Sequence, residues 1–138
     1  MTTSTASNTF GQLLQAAASQ PEPQRLLFVF AAAELPDGAT AQQRRRFAAG
    51  QGGALTPLAC VDKDPADLTT FEALSAESRA ACPPWDLVFI AALGGQSGRP
   101  PSSGQVEAAL QTIVKGVQSG RLGAFLALDA AGEPVRFS

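Results

Sequence analysis

Apolar and polar positions follow two rhythms along this chain. From Val106 to Val117, apolar residues fall at Val106, Ala109, Leu110, Ile113, Val114 and Val117, the i, i+3, i+4, i+7 spacing of one helix face, and Gly120 suits the left-handed cap that ends such a helix. Two shorter stretches keep the same spacing: Phe10, Leu13, Leu14 and Ala17, stopped before Pro21, and Phe71, Leu74 and Ala81, stopped at Pro83 and Pro84. A fourth, around "AQQRRRF", offers only Phe47 and Ala48 to a core. Each of these stretches opens on Thr or Ser followed three residues later by Gln or Glu: Thr9 with Gln12, Thr40 with Gln43, Thr69 with Glu72, and Ser102 with Gln105. In that pairing each side chain can satisfy a backbone N–H that a helix start leaves over.

Between the helices lie apolar runs of strand length: "LLFVFAAA" from Leu26, "LTPLACV" from Leu55, "DLVFIAAL" from Asp86 and "AFLAL" from Ala124. Continuous hydrophobicity marks strands covered on both faces, as in parallel sheets between helix layers. The tail "LDAAGEPVRFS" reads as a turn at Ala131 and Gly132 into a short alternating strand, with Val135 and Phe137 inward and Arg136 outward, antiparallel at an edge. The order predicts an α/β single domain: a mostly parallel mixed sheet of about four to five strands, flanked by about four helices in three layers, with right-handed crossovers and a C-terminal antiparallel hairpin. Residues 1–8 read as a disordered tail and 9–138 as the domain.

Composition narrows the function classes. At 138 residues, 45% hydrophobic and 16% charged, the chain is of ordinary globular make-up and long enough to bury about two thirds of its unfolded surface. No apolar run reaches the ~18 residues that cross a bilayer, and "MTTSTASN" has neither the basic start nor the apolar core of a signal peptide, so a cytoplasmic protein without membrane association is expected. Twelve acidic against ten basic residues give a net charge of -2, which draws the chain to neither nucleic acid nor anionic membrane. Arg44, Arg45 and Arg46 fan through about 200° of a helix, so they read first as a solvated flank and only second as a phosphate or acidic-partner site.

The chain has no histidine, which removes Ser-His-Asp and Cys-His nucleophile pairs, His-ligated zinc and His general bases together. Cys60 and Cys82 are too far apart for a CxxC motif; Cys60, in "PLACV", reads as a small hydrophobe, as does Cys82 before Pro83. No cofactor, metal set or catalytic residue is implied.

What chemistry remains depends on the expected topology. Parallel strands would gather their carboxyl ends on one rim, bringing together Glu34 and Asp37, then Asp62, Lys63 and Asp64, then the "GGQSGRPPSSG" loop with Ser97 and Arg99. Asp62, Lys63, Asp64, Ser97 and Arg99 are thus the candidate ligand-binding residues. "VDKD" reads first as a turn whose aspartates bond nearby N–H groups and second as a cation site. The loop has the look of a phosphate cradle, but no lysine follows it, and Pro100 and Pro101 remove two N–H donors ahead of the helix. It reads instead as an exposed connector or recognition loop whose loss folding would hardly register. Trp85 reads as a plug at the entry of the third strand or, if exposed, as an anchor for a partner.

At "QPEPQRLLFVFAAAELP", "GGALTPLACVDKDPADL" and "PWDLVFIAAL" the chain resembles, over most of its length, a small family of uncharacterised proteobacterial proteins, some of which carry the label ribonucleotide reductase alpha subunit. That label implies a much longer chain built on a large barrel, with a radical-bearing cysteine and a separate redox-active pair, whereas this sequence has two cysteines in all. The resemblance therefore assigns no catalytic residue here. Two readings of function stand. The first is a non-catalytic interaction or accessory module for an unknown protein partner, with a homodimer through the C-terminal edge strand as its self-association. The alternative is a binder of a small ligand, one carrying phosphate or a nucleotide included, or a weak enzyme, working on the rim.

Overall fold

The run from Leu26 to Ala31 is buried at every residue, because its two faces meet different helix layers. Leu26, Phe28 and Phe30 join Phe10, Phe71, Leu74 and Trp85 on one side, while Leu27, Val29 and Ala31 join Val106, Ile113 and Val117 on the other. The computed structural model describes residues 8–34, 38–48 and 54–136. Along these run α1 (Thr9–Ala18), β1 (Gln24–Glu34), α2 (Ala41–Ala48), β2 (Ala54–Lys63), α3 (Phe71–Ala81), β3 (Leu87–Gly94), α4 (Ser103–Gln118) and β4 (Leu126–Asp129). Elements lie where the hydrophobic rhythm places them, in three layers.

Their directions do not follow the expectation. The strands form a four-stranded sheet in the order β2-β1-β3-β4, and every neighbouring pair is antiparallel. The mostly parallel mixed sheet is thus corrected to an all-antiparallel one. Continuous hydrophobicity reports two-sided burial, which β1 shows and β2, with no buried residue, does not, and it says nothing of direction. Direction is set by how the connections travel. A helix that runs back along a sheet returns the chain to the rim it started from and gives a parallel neighbour. Here α4 crosses the strands instead: from Ser103 to Val114 it lines a groove with Cys60 and Asp62 of β2, and a Cβ added at Gly116 near its far end would meet the Phe125 ring ahead of β4 at 2.8 Å. The α3 helix crosses the other face in the opposite sense, from Phe71, which packs on Gly132 beyond β4, to Ala81, which lines a groove with Ala59 and Val61 of β2. Among the described residues the connection between β1 and β2 holds α2 alone, whose residues from Ala41 to Arg46 are all exposed. None of these side chains supplies an apolar stripe to pack across a sheet face, and β2 returns antiparallel alongside β1. The side chains of Phe47 and Ala48 lie outside the described residues.

Helix starts follow the sequence signatures in part. Ser102 Oγ accepts from the Gln105 N–H at 3.1 Å while Gln105 Oε1 accepts from the Ser102 N–H at 2.9 Å. Thr40 and Gln43 make the same reciprocal pair at 3.1 and 2.8 Å. For α3 the cap moves one residue, to Thr70, whose hydroxyl accepts from Ala73 N–H at 3.1 Å, and α1 starts after Asn8 with no side-chain cap bond. Trp85 is the expected plug, 3% exposed, with its Nε1–H donating to Ser78 Oγ at 2.8 Å. The C-terminal hairpin is a tight return rather than a full strand. Asp129 Oδ1 accepts from Ala131 and Glu133 N–H at 2.9 and 3.0 Å, after which Leu128 and Pro134 form an isolated antiparallel bridge. Phe137 and most of the expected N-terminal tail lie outside the described residues.

Candidate functional site

Because β1 is antiparallel to both neighbours, β2 and β3 run the same way, and their carboxyl ends share a rim with the start of β1. Asp62, Lys63, Asp64 and the loop bearing Ser97 and Arg99 are therefore on that rim, as expected. Glu34, at the far end of β1, goes to the opposite rim, and Asp37 lies outside the described residues.

Sharing a rim does not make the candidates converge. Successive strand residues point to opposite faces, so Asp62 pairs with Arg25 on the α4 face, Arg25 Nη2 to Asp62 Oδ2 at 2.7 Å, while Lys63 reaches Glu77 of α3 at 2.6 Å. Asp64 caps the 3-10 turn Pro65–Asp67 by accepting from Ala66 N–H at 2.9 Å, which is the turn role read for it from sequence. Among the described residues no group of three or more Cys, Asp or Glu side chains is placed to hold a metal ion, and no helix is long and apolar enough to cross a membrane.

The loop after β3 is more ordered than a connector. Gln96 and Arg99 exchange backbone hydrogen bonds of 3.0 and 2.9 Å around Ser97 and Gly98, both at positive φ, 54° and 77°. This is a two-residue type I′ turn, in which both central residues take left-handed backbone. Gly98 N–H donates to Glu22 Oε1 at 2.7 Å and Gly95 N–H to Pro23 O at 2.8 Å. The turn is thus pinned to the lead-in of β1, and Pro101 behind it is buried. These amides are already engaged, one of them by a carboxylate, so an arriving phosphate would have to displace them. Arg99 stays exposed at the tip.

At one end of the sheet β2 has β1 as its single strand neighbour among the described residues. Odd-numbered residues of β1 and its lead-in direct their backbone toward β3: Pro23 O accepts from Gly95 N–H at 2.8 Å, Ala31 O accepts from Asp86 N–H at 2.9 Å, and Ala33 N–H donates to Asp86 Oδ2 at 2.8 Å. Leu26, Phe28 and Phe30 must then turn to β2, where they oppose Lys63, Val61 and Ala59. It follows that Cys60 and Asp62 aim N–H and C=O away from β1, along the free edge. Farther along, past a register shift, Ala31 opposes Pro57, a third outward position, and there proline removes the N–H.

A groove flanks this edge on each face, since the transverse helices both reach β2. The groove toward α4, about 370 Å³, is lined by Cys60, Asp62, Val106, Glu107, Leu110 and Val114 among others. The one toward α3, about 250 Å³, includes Ala59, Val61, Lys63, Leu74, Glu77 and Ala81. Neither unites Asp62, Lys63 and Arg99. Comparison of the chain with models of known protein families, with curated proteins and with solved structures finds no match in any of the three.

Sequence reasoning did not single out the β2 edge or its flanking Arg25, Glu77 and Glu107. One signal was present: a proline inside an apolar run, Pro57 in "LTPLACV", marks an edge strand, since proline cannot donate to a ladder on both sides.

Proposed function

We propose that this protein is a non-catalytic interaction module that receives an extended segment of a partner protein along the outer edge of β2. The observation that carries this reading is the pair of outward-facing backbone groups at Cys60 and Asp62 with a groove on either side of them. An added strand gains affinity from main-chain hydrogen bonds and specificity from pockets for alternate side chains, and the grooves toward α4 and α3 are disposed for those alternate side chains. The opposite end of the sheet is less suited to the C-terminal pairing considered above, because the return at Leu128 and Pro134 already lies against β4. Chemistry is not part of this reading: Cys60 is exposed, but no histidine exists to activate it.

A peptide library displayed on phage, selected against the parent and against Cys60→Pro, tests the reading. Cys60 donates nothing to β1, so proline there removes an outer donor while sparing the ladder. Enriched peptides should bind the parent and lose binding to Cys60→Pro. Peptides that bind both proteins equally, or no enrichment at all, would reject docking on β2.

A further inference from the structure

We infer that the segment docked on β2 carries a basic side chain opposite Asp62 and an apolar one two positions away, opposite Cys60. The inference rests on the edge-docking reading and specifies its partner. A residue hydrogen-bonded across the edge to Asp62 or Cys60 projects its side chain on the same face as theirs, with Cβ atoms about 4.5–5.5 Å apart. For these two positions that is the α4 face. The groove that Asp62 lines also contains Glu107, which makes no ion pair among the described residues. Both Arg25 contacts with Asp62, at 2.7 and 2.9 Å, fall on Oδ2, which leaves Oδ1 for a further donor. The groove thus sets two carboxylates against the single guanidinium of Arg25, and a lysine or arginine from the partner would complete the charge balance. Apart from Glu107, Gln111 and Ser103, α4 lines the same groove with the apolar Val106, Leu110 and Val114, which suits an apolar side chain opposite Cys60. The intervening partner residue turns to the α3 face, where Lys63 and Glu77 already satisfy each other at 2.6 Å, so no charge is demanded there. Toward the start of β2 the missing N–H of Pro57 limits the ladder, which confines recognition to these few positions.

The test uses the peptides enriched on the full chain in the phage selection, resynthesised with the basic residue as Lys or as Glu. The Lys form should bind the parent at least about fivefold more tightly than the Glu form, as expected when a cross-strand pair changes from opposite to like charge, and Glu107→Lys should shrink or reverse that preference. Amide exchange on the unmodified protein supplies a readout independent of any variant: peptide should slow exchange at Cys60 and Asp62 and leave Val61 and Lys63 as they were. Peptides that protect those amides but are indifferent to Lys or Glu would overturn this inference and leave edge docking standing. Peptides that bind without protecting them would overturn both. A parent that sediments as a dimer while Cys60→Pro stays monomeric would name a second copy of the chain as the occupant, and reject the basic partner segment.

Discussion

In the Gly94 to Gly104 stretch the backbone dictates glycine at Gly95 through a close approach and favours it at Gly98 through a positive φ. A Cβ there would run into the Arg99 carbonyl oxygen, whereas at Gly98, with φ of 77°, it would meet nothing within 4 Å. Gly95→Ala should therefore cost about 1–3 kcal/mol, the usual range for overpacking, and should disturb the turn. Gly98→Ala should cost about 1–2 kcal/mol through its left-handed backbone alone. Denaturant melts that rank the two in reverse would mean the turn is drawn wrongly. A second residue-scale test concerns Ser78, the one polar residue among the buried residues described. Its hydroxyl donates to Ser75 O at 2.7 Å and accepts from Trp85 Nε1–H, so Ser78→Ala should cost about 1–3 kcal/mol by stranding the indole N–H. In a Trp85→Phe background the same change should cost distinctly less. Equal losses in both backgrounds would show that the bond is not what Ser78 contributes. Of the two readings open for Trp85 after its two prolines, plug or exposed anchor, the structure shows the plug. The role of Ser78 was not legible, because nothing in sequence distinguishes a helical serine that faces an indole from one that faces water.

At the scale of elements, helices were easy to read and strand direction was not. The inward stripe of α4 is confirmed in phase: Ile113 is 2% exposed and Gln111 is exposed. Ile113→Ala should thus destabilise by about 2–4 kcal/mol, while Gln111→Ala should be nearly silent; similar effects of both would put the stripe out of phase. Strand direction escaped because continuous apolar runs such as "LLFVFAAA" look the same whether their neighbours are parallel or antiparallel. What decides it is the path of the connecting helices, and the transverse course of α3 and α4 depends on contacts such as Gly116 with Phe125 and Phe71 with Gly132 that no local pattern encodes. The loop after β3 was misjudged for a related reason. Its glycines and serine looked permissive, whereas Ser97 and Gly98 form the specific pair of left-handed positions that a type I′ turn requires. Replacing Gly95 to Pro101 with a Gly-Ser linker should accordingly lower the thermal midpoint. It removes the Glu22 and Pro23 bonds and the buried Pro101 together, at about 2–8 °C per kcal/mol lost. A midpoint unchanged within error would return the loop to the role of a mere connector.

Across the whole molecule the arrangement is lopsided in a way that bears on function. The chain puts its longest buried run, Leu26 to Ala31 of β1, at the centre, walled by α1 and α3 on one face and α4 on the other. The β4 end of the sheet is partly closed by the return through Pro134, and the β2 end is left with outward backbone at Cys60 and Asp62. This lopsidedness predicts a pattern of amide exchange in the free protein. Amides of Leu26, Phe28 and Phe30, bonded within a buried strand, should exchange only through global opening, at a free energy near the total stability of about 5–15 kcal/mol. Along β2 protection should alternate, slow at Val61 and Lys63, which bond to β1, and fast at Cys60 and Asp62, which face solvent. The alternation belongs to a long-range pairing register and not to any local property of "ACVDK", so it tests the derivation of the edge directly. Uniform slow exchange from Ala59 to Lys63 at low protein concentration would mean that something within the chain already covers β2, and edge docking would fall with it. Slow exchange that appears only as concentration rises would instead trace the cover to a second molecule, because mass action protects an edge in proportion to the copies available to bind it.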